Sequence, residues 1–166
     1  MASLSHVAVG FAAARAHDGA FRWRTMVALA AFSMLPDADV IAFKFGIPYE
    51  SQWGHRGFTH SIVFAVFCGA VAWLVTKKSW KSTLALFVVV LTHPFLDSLT
   101  DGGLGVALFW PVTDARYFAP WTPIPVAPIG MGMLSRYGAY VLFAELAIAV
   151  PLLAAAHFLP RRARET

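Results

Sequence analysis

The sequence predicts an all-α integral membrane protein: a helical bundle of about five helices with a long aromatic and proline-rich loop before the last one. Three observations carry that expectation. Hydrophobic residues make up 58% of the 166-residue chain and charged residues only 13%, with a mean hydropathy of +0.63, which favours lipid-facing helices over a soluble core. The apolar residues come in runs separated by short polar turns. Basic and acidic residues fall in alternate turns, which an up-and-down thread sorts to opposite ends. A very apolar soluble helical domain is the alternative. The length suits one membrane-embedded domain over residues 1–166, and no internal repeat, low-complexity segment or linker divides it.

Residues 3–16 (SLSHVAVGFAAARA) predict a first helix of roughly 21 Å, short of the ~30 Å hydrocarbon thickness. No basic n-region or cleavage site marks it as a secretory signal peptide. A basic turn holds Arg15, His17, Asp18, Gly19, Arg22 and Arg24, and residues 25–35 predict a second helix that Pro36 ends. Residues 40–59 begin apolar and continue as a loop through Gly46, Pro48, Glu50 and Gly54. Residues 61–76 predict a third helix, closed by Lys77, Lys78 and Lys81. The fourth, 82–99, carries Pro94, which should bend it. Asp101-Gly102-Gly103 break the chain, and 104–133 is a loop whose aromatics suit a membrane-interface belt or a lid. The last helix, 137–159, is the clearest span and ends in Arg161, Arg162 and Arg164.

Threaded up and down, nine of the thirteen Lys and Arg residues meet at one end. The other end collects His6, Asp37, Asp39, His55, His60, His93, Asp97 and Asp101. Basic connections are retained in the cytoplasm, so the His and Asp end is expected on the extracytoplasmic side of the inner membrane, slightly below the headgroups, in a multi-pass protein. The net charge is +4, but no basic run is interleaved with aromatics, which argues against nucleic acid as a partner. Cys68 is the single cysteine, so it excludes an intrachain disulfide and reads as a packing residue.

The string His55-Arg56-Gly57-Phe58-Thr59-His60-Ser61 brings two imidazoles, a guanidinium and two hydroxyls to the start of an apolar run. Gly57 permits a turn that points both histidines at one place, and Thr59 or Ser61 can cap the following helix. His93 and Asp97, four residues apart on one helix, share a face and can hold one cation. Asp37 and Asp39 offer carboxylates just past a helix end. An imidazole and carboxylate set with little thiolate suits one or two divalent transition-metal ions, zinc first, with manganese or iron as alternatives. Unpaired ionisable groups in a hydrophobic bundle are costly, and a shared cation accounts for their convergence.

Ser5-His6, Leu35-Pro36-Asp37-Ala38-Asp39, the His55 to Ser61 string and His93-Pro94-Phe95-Leu96-Asp97 resemble, in order and spacing, the LexA-binding, inner-membrane-associated family of metal-dependent hydrolases. The similarity extends from residue 1 to about 103, and the HRGxTHS-type string is its most diagnostic part. More distantly, the pattern is similar to the zinc-dependent phospholipase C and P1 nuclease group, helical enzymes that cleave phosphodiesters. That likeness implies one metal held by Asp37, His60, His93 and Asp97 and a second by His6, with Asp97 bridging. No later HxxxE or second HxxxH pair completes a three-metal cluster, so two ions at most are expected.

The expected function is a membrane-bound metal-dependent hydrolase of a phosphoester in a lipid or lipid-linked, amphiphilic substrate. Asp39 or Asp101, whichever is not a ligand, would move a proton. Arg56 would hold an anionic group by its planar fork or pair with an aspartate ligand. Two rivals come from other classes. A metal-ion transporter would use the same cluster transiently, although no acidic or histidine positions continue toward the basic end. A regulatory or scaffold protein would keep a structural metal and meet a cytosolic partner or anionic lipid at its basic face.

Overall fold

The computed structural model describes residues 3–160, so the expectations for Arg161, Arg162 and Arg164 lie outside the described residues. The chain is all helical: α1 Ser3–Asp18, α2 Trp23–Ser33, α3 Ile62–Val75, α4 Trp80–Ser98 and α5 Arg136–His157, with short 3-10 helices at Phe58–His60 and Gly130–Leu134. No strand forms among the described residues. Isolated bridges between Thr100 and Ile124 and between Val106 and Tyr117 fold the long loop back on itself.

Each boundary has a local cause. Gly19 follows α1 in the left-handed region (φ 68°), where glycine bears no Cβ penalty. The Ser61 hydroxyl caps α3 by accepting the Phe64 amide at 3.1 Å, and Ser135 caps α5 in the same way from Gly138. Pro36 does end α2, but residues 35–45 do not unravel into a loop. They resume as a 3-10 helix, Leu35–Phe45, set at 47° to α2. Proline lacks the donor an α-helix needs there yet suits a helical first turn, so the chain changes helix type and direction together.

α1 packs on α2, α4 and α5, and α3 packs on α4. At Gly10 a Cβ would lie 2.5 Å from the Ala30 backbone, so the α1–α2 crossing needs the missing side chain. The buried apolar clusters are small, Ala14 with Leu29 and Val89 in one and Ala65 with Cys68 and Val90 in the other. Large apolar side chains face outward instead, among them Phe67, Leu74 and Val75 on α3 and Phe143 and Val150 on α5. Among the described residues α5 is long and apolar enough to cross a membrane, and α2 with the bent 3-10 helix makes a second candidate span. A multi-pass bundle was expected, with the last helix as its clearest span and the first too short to cross alone. The other helices fall short in length or hydropathy.

The end of α1 meets both the start of α4 and the residues just past α5. The Arg15 guanidinium donates to the carbonyl oxygens of Leu159 and Pro160, and His17 meets Ser82 at 3.2 Å. The opposite ends carry the histidines and aspartates.

Candidate metal centre

Three elements deliver four side chains to a single point. Asp37 comes from the first turn of the 3-10 helix after α2, His60 from the turn before α3, and His93 and Asp97 from successive turns of α4. All four are buried. One ligand atom from each lies within 4.8 Å of the other three. Asp37 Oδ1 is 3.3 Å from His93 Nε2 and 3.6 Å from His60 Nε2. Asp97 Oδ2 is 3.4 Å from His60 Nε2 and 3.9 Å from His93 Nε2.

Those separations are long for hydrogen bonds, and both Asp37 oxygens and the Nε2 atoms of His60 and His93 are buried without a hydrogen-bond partner. They match a shared ion. Ligand atoms about 2.0–2.1 Å from a tetrahedral zinc stand roughly 3.3 Å apart. The donor set therefore fits a divalent transition metal in both chemistry and spacing.

The ring orientations are fixed from behind. His93 Nδ1 donates to the Ser33 carbonyl at 2.6 Å, and His60 Nδ1 faces Asp39 Oδ2 at 3.3 Å, so both rings turn Nε2 inward. Burial disfavours an imidazolium at His60, but the surrounding carboxylates of Asp37, Asp39 and Asp97 outweigh that and carry its pKa up to about 10.

Asp39 and His55 form the next layer. Asp39 Oδ1 meets His55 Nδ1 at 2.7 Å, and Oδ2 accepts the Thr59 hydroxyl at 2.6 Å and the Arg56 amide at 3.1 Å. Asp39, His55 and His60 are also close enough to hold an ion. The short contacts at Asp39 are those of a carboxylate saturated by donors, which orients His60 and braces the 55–60 turn. His6 reaches the other oxygen of Asp97, Nε2 to Oδ1 at 3.4 Å, and stacks on the His93 ring at 3.8 Å between centroids. Among the described residues no third imidazole or carboxylate joins His6 and Asp97 at ligand spacing.

Arg56 departs from the substrate-binding expectation and takes the alternative one. Its side chain is buried, with Nε 3.0 Å from Asp97 Oδ2, and its terminal nitrogens donate to the Gly102 carbonyl and the Thr100 hydroxyl. The turn also differs at its glycine. The left-handed residue is Arg56 (φ 62°), while Gly57 has φ −83°. Gly57 is needed for space, because a Cβ there would lie 2.1 Å from the Gln52 carbonyl oxygen. Asp101 does not join the cluster. It is exposed and its Oδ1 accepts the Val126 amide at 2.7 Å, so the carboxylate clamps the long loop.

Sequence reasoning missed Glu145, a fully buried carboxylate in the apolar α5. It accepts the amides of Leu4 and Ser5 at the start of α1, where a carboxylate is favoured by the helix dipole, and so anchors the turn that carries His6. A lone acid inside a 22-residue apolar helix was the available signal. Ser33 was also missed; its contribution is a backbone carbonyl, which no residue pattern reveals.

The inner membrane protein YbcI of Escherichia coli (strain K12) is 44% identical over 120 residues, which cover 69% of this chain and 69% of that protein. No solved structure matches the chain. The YdjM inner membrane protein description matches residues 1–163, spanning every element that supplies the cluster. The chain therefore belongs to the YdjM inner membrane protein family.

Proposed function

We propose that Asp37, His60, His93 and Asp97 hold one divalent transition-metal ion, zinc first, in a membrane-bound hydrolase acting on a phosphoester of a lipid or lipid-linked substrate. The observation that carries this reading is the spacing of four buried ligand atoms at the separations a tetrahedral ion requires. Such an ion would polarise a phosphoryl oxygen and lower the pKa of a water, provided that the water reaches it as a ligand additional to the four side chains. The chain's part is to hold His60 and His93 with Nε2 inward, to brace Asp97 with Arg56, and to keep Asp37 Oδ2 free of hydrogen bonds. A hydrolase site on the extracytoplasmic side of the bilayer is reached by an amphiphile without its leaving the membrane.

The near-complete burial of the ligands favours a second reading, a structural ion in a regulatory or scaffold protein. Metal analysis of the purified protein, followed by a phosphoester and lipid screen with and without chelator, separates them. The hydrolase reading expects hydrolysis that chelator abolishes before the helices melt. Stoichiometric metal whose removal unfolds the protein, with no substrate cleaved, supports the structural role instead.

A further inference from the structure

α2 and α3 both pack on α4 but not on each other, which leaves a cleft floored by α4. Two cavities lie along it, of about 380 and 290 Å³, and they share Phe32, Thr76 and Leu86, so they are sections of one groove. One section is walled by apolar side chains such as Leu35, Phe64, Cys68 and Val71. The other opens at the basic end of the bundle, where Arg24, Thr25, His17 and Ser82 line it. No carboxylate lines either section. The nearby Asp18 is held by His17 at 2.8 Å. An apolar trough with a guanidinium and hydroxyls at one mouth is amphiphilic in the same sense as a lipid.

We propose that this cleft is a binding site for an anionic phospholipid, with one acyl chain laid on α4 between α2 and α3 and the phosphate at Arg24. The dimensions agree with that occupant. From Phe64 to Val75 the α3 wall is roughly 17 Å long, about half of the ~30 Å hydrocarbon core and so the depth of one leaflet. An extended peptide would bring amides that the apolar walls cannot satisfy. The headgroup preference comes from charge. Arg24 is exposed at the mouth, its fork suits phosphate oxygens, and Lys77 and Lys78 follow Thr76 directly. This site is separate from the metal centre, which lies at the other end of the bundle.

Native mass spectrometry tests it, on full-length protein released from bilayer discs containing equal phosphatidylglycerol and phosphatidylcholine with identical acyl chains. The expected result is one retained lipid, phosphatidylglycerol over phosphatidylcholine by at least about fivefold. Arg24→Gln should keep a retained lipid while bringing the ratio close to one. Cys68→Trp, which fills the apolar section, should remove retained lipid of both kinds. Because Arg24 is exposed, its variant decides the matter even if Cys68→Trp fails to fold. Equal retention of the two lipids by the unmodified protein overturns the proposal, as does a phosphatidylglycerol preference that survives Arg24→Gln. A dimer without lipid that Cys68→Trp dissociates would make the cleft a seam between copies and overturn it too.

Discussion

His93 Nδ1 donates to the carbonyl oxygen of Ser33 at 2.6 Å, a bond between the middle of the candidate metal centre and the last residue of α2. A carbonyl only accepts, so Nδ1 carries the proton and Nε2 presents a lone pair to Asp37. The carbonyl is available because the helix breaks there. Pro36 has no amide hydrogen to offer it, and the Asp37 amide bonds the Met34 carbonyl instead. One proline thus both ends α2 and creates the acceptor that sets a histidine tautomer.

That link predicts an effect for a residue that touches no ion. Pro36→Ala restores an amide that can compete for the Ser33 carbonyl, so metal affinity should fall by about tenfold while helix content is kept. A competition titration with a chromophoric chelator measures it. Unchanged affinity would mean that the Ser33 bond does not govern the ring.

His93→Ala and Asp97→Ala should each remove most of the bound metal. Asp97→Ala should be the more damaging, because Asp97 also holds Arg56 Nε at 3.0 Å and His6 at 3.4 Å. Leaving a buried guanidinium without its carboxylate costs about 3–5 kcal/mol. Metal content and thermal unfolding in detergent check both parts. Stoichiometric metal in the double variant would refute the ligand assignment.

Arg56→Lys should lower stability by about 2 kcal/mol, since one ammonium cannot replace the separate contacts to Asp97, Gly102 and Thr100. The measurements are the thermal midpoint and the amount accumulated in the membrane. Full stability with a selective loss of activity on an anionic substrate would return Arg56 to a substrate-binding role.

The His60 pKa sets a pH dependence. It is raised from 6.5 to about 10 in the metal-free chain, so the protonated ring contributes stability that is complete below about 6.5 and is lost as pH rises through about 10. Metal must displace that proton, so affinity rises with pH across the same window. The gap in thermal midpoint between zinc-loaded and chelator-treated protein should therefore widen from pH 7 to about pH 9.5. A gap that narrows or stays constant contradicts proton competition at His60.

Sidedness is open to labelling in intact cells. In a Cys68→Ala background, cysteine at Ser51 or Thr113 should react with a membrane-impermeant thiol reagent, and cysteine at Ser79 should not. The reverse pattern places the metal centre in the cytoplasm and favours a soluble substrate.

The sequence alone determined the helical class, the family-scale setting and the order in which the ligands arrive. The apolar runs, the serines that cap them and the pairing of His93 with Asp97 by helical spacing are local properties, readable without any knowledge of neighbours. It also located the convergence of His6, Asp37, Asp39, His55, His60, His93 and Asp97, because an up-and-down thread leaves few other places for those helix ends, but it brought Asp101 to the same place. Tertiary structure alone decided the roles. Whether Arg56 faces a ligand or the Asp97 carboxylate, whether Asp39 is a proton carrier or saturated by Thr59, Arg56 and His55, and whether Asp101 reaches the site depend on contacts between residues far apart in the chain. Backbone groups were hidden from the pattern altogether. The Ser33 carbonyl and the α1 amides held by Glu145 became partners only when two helix ends, with their unsatisfied amides and carbonyls, were packed where water does not reach.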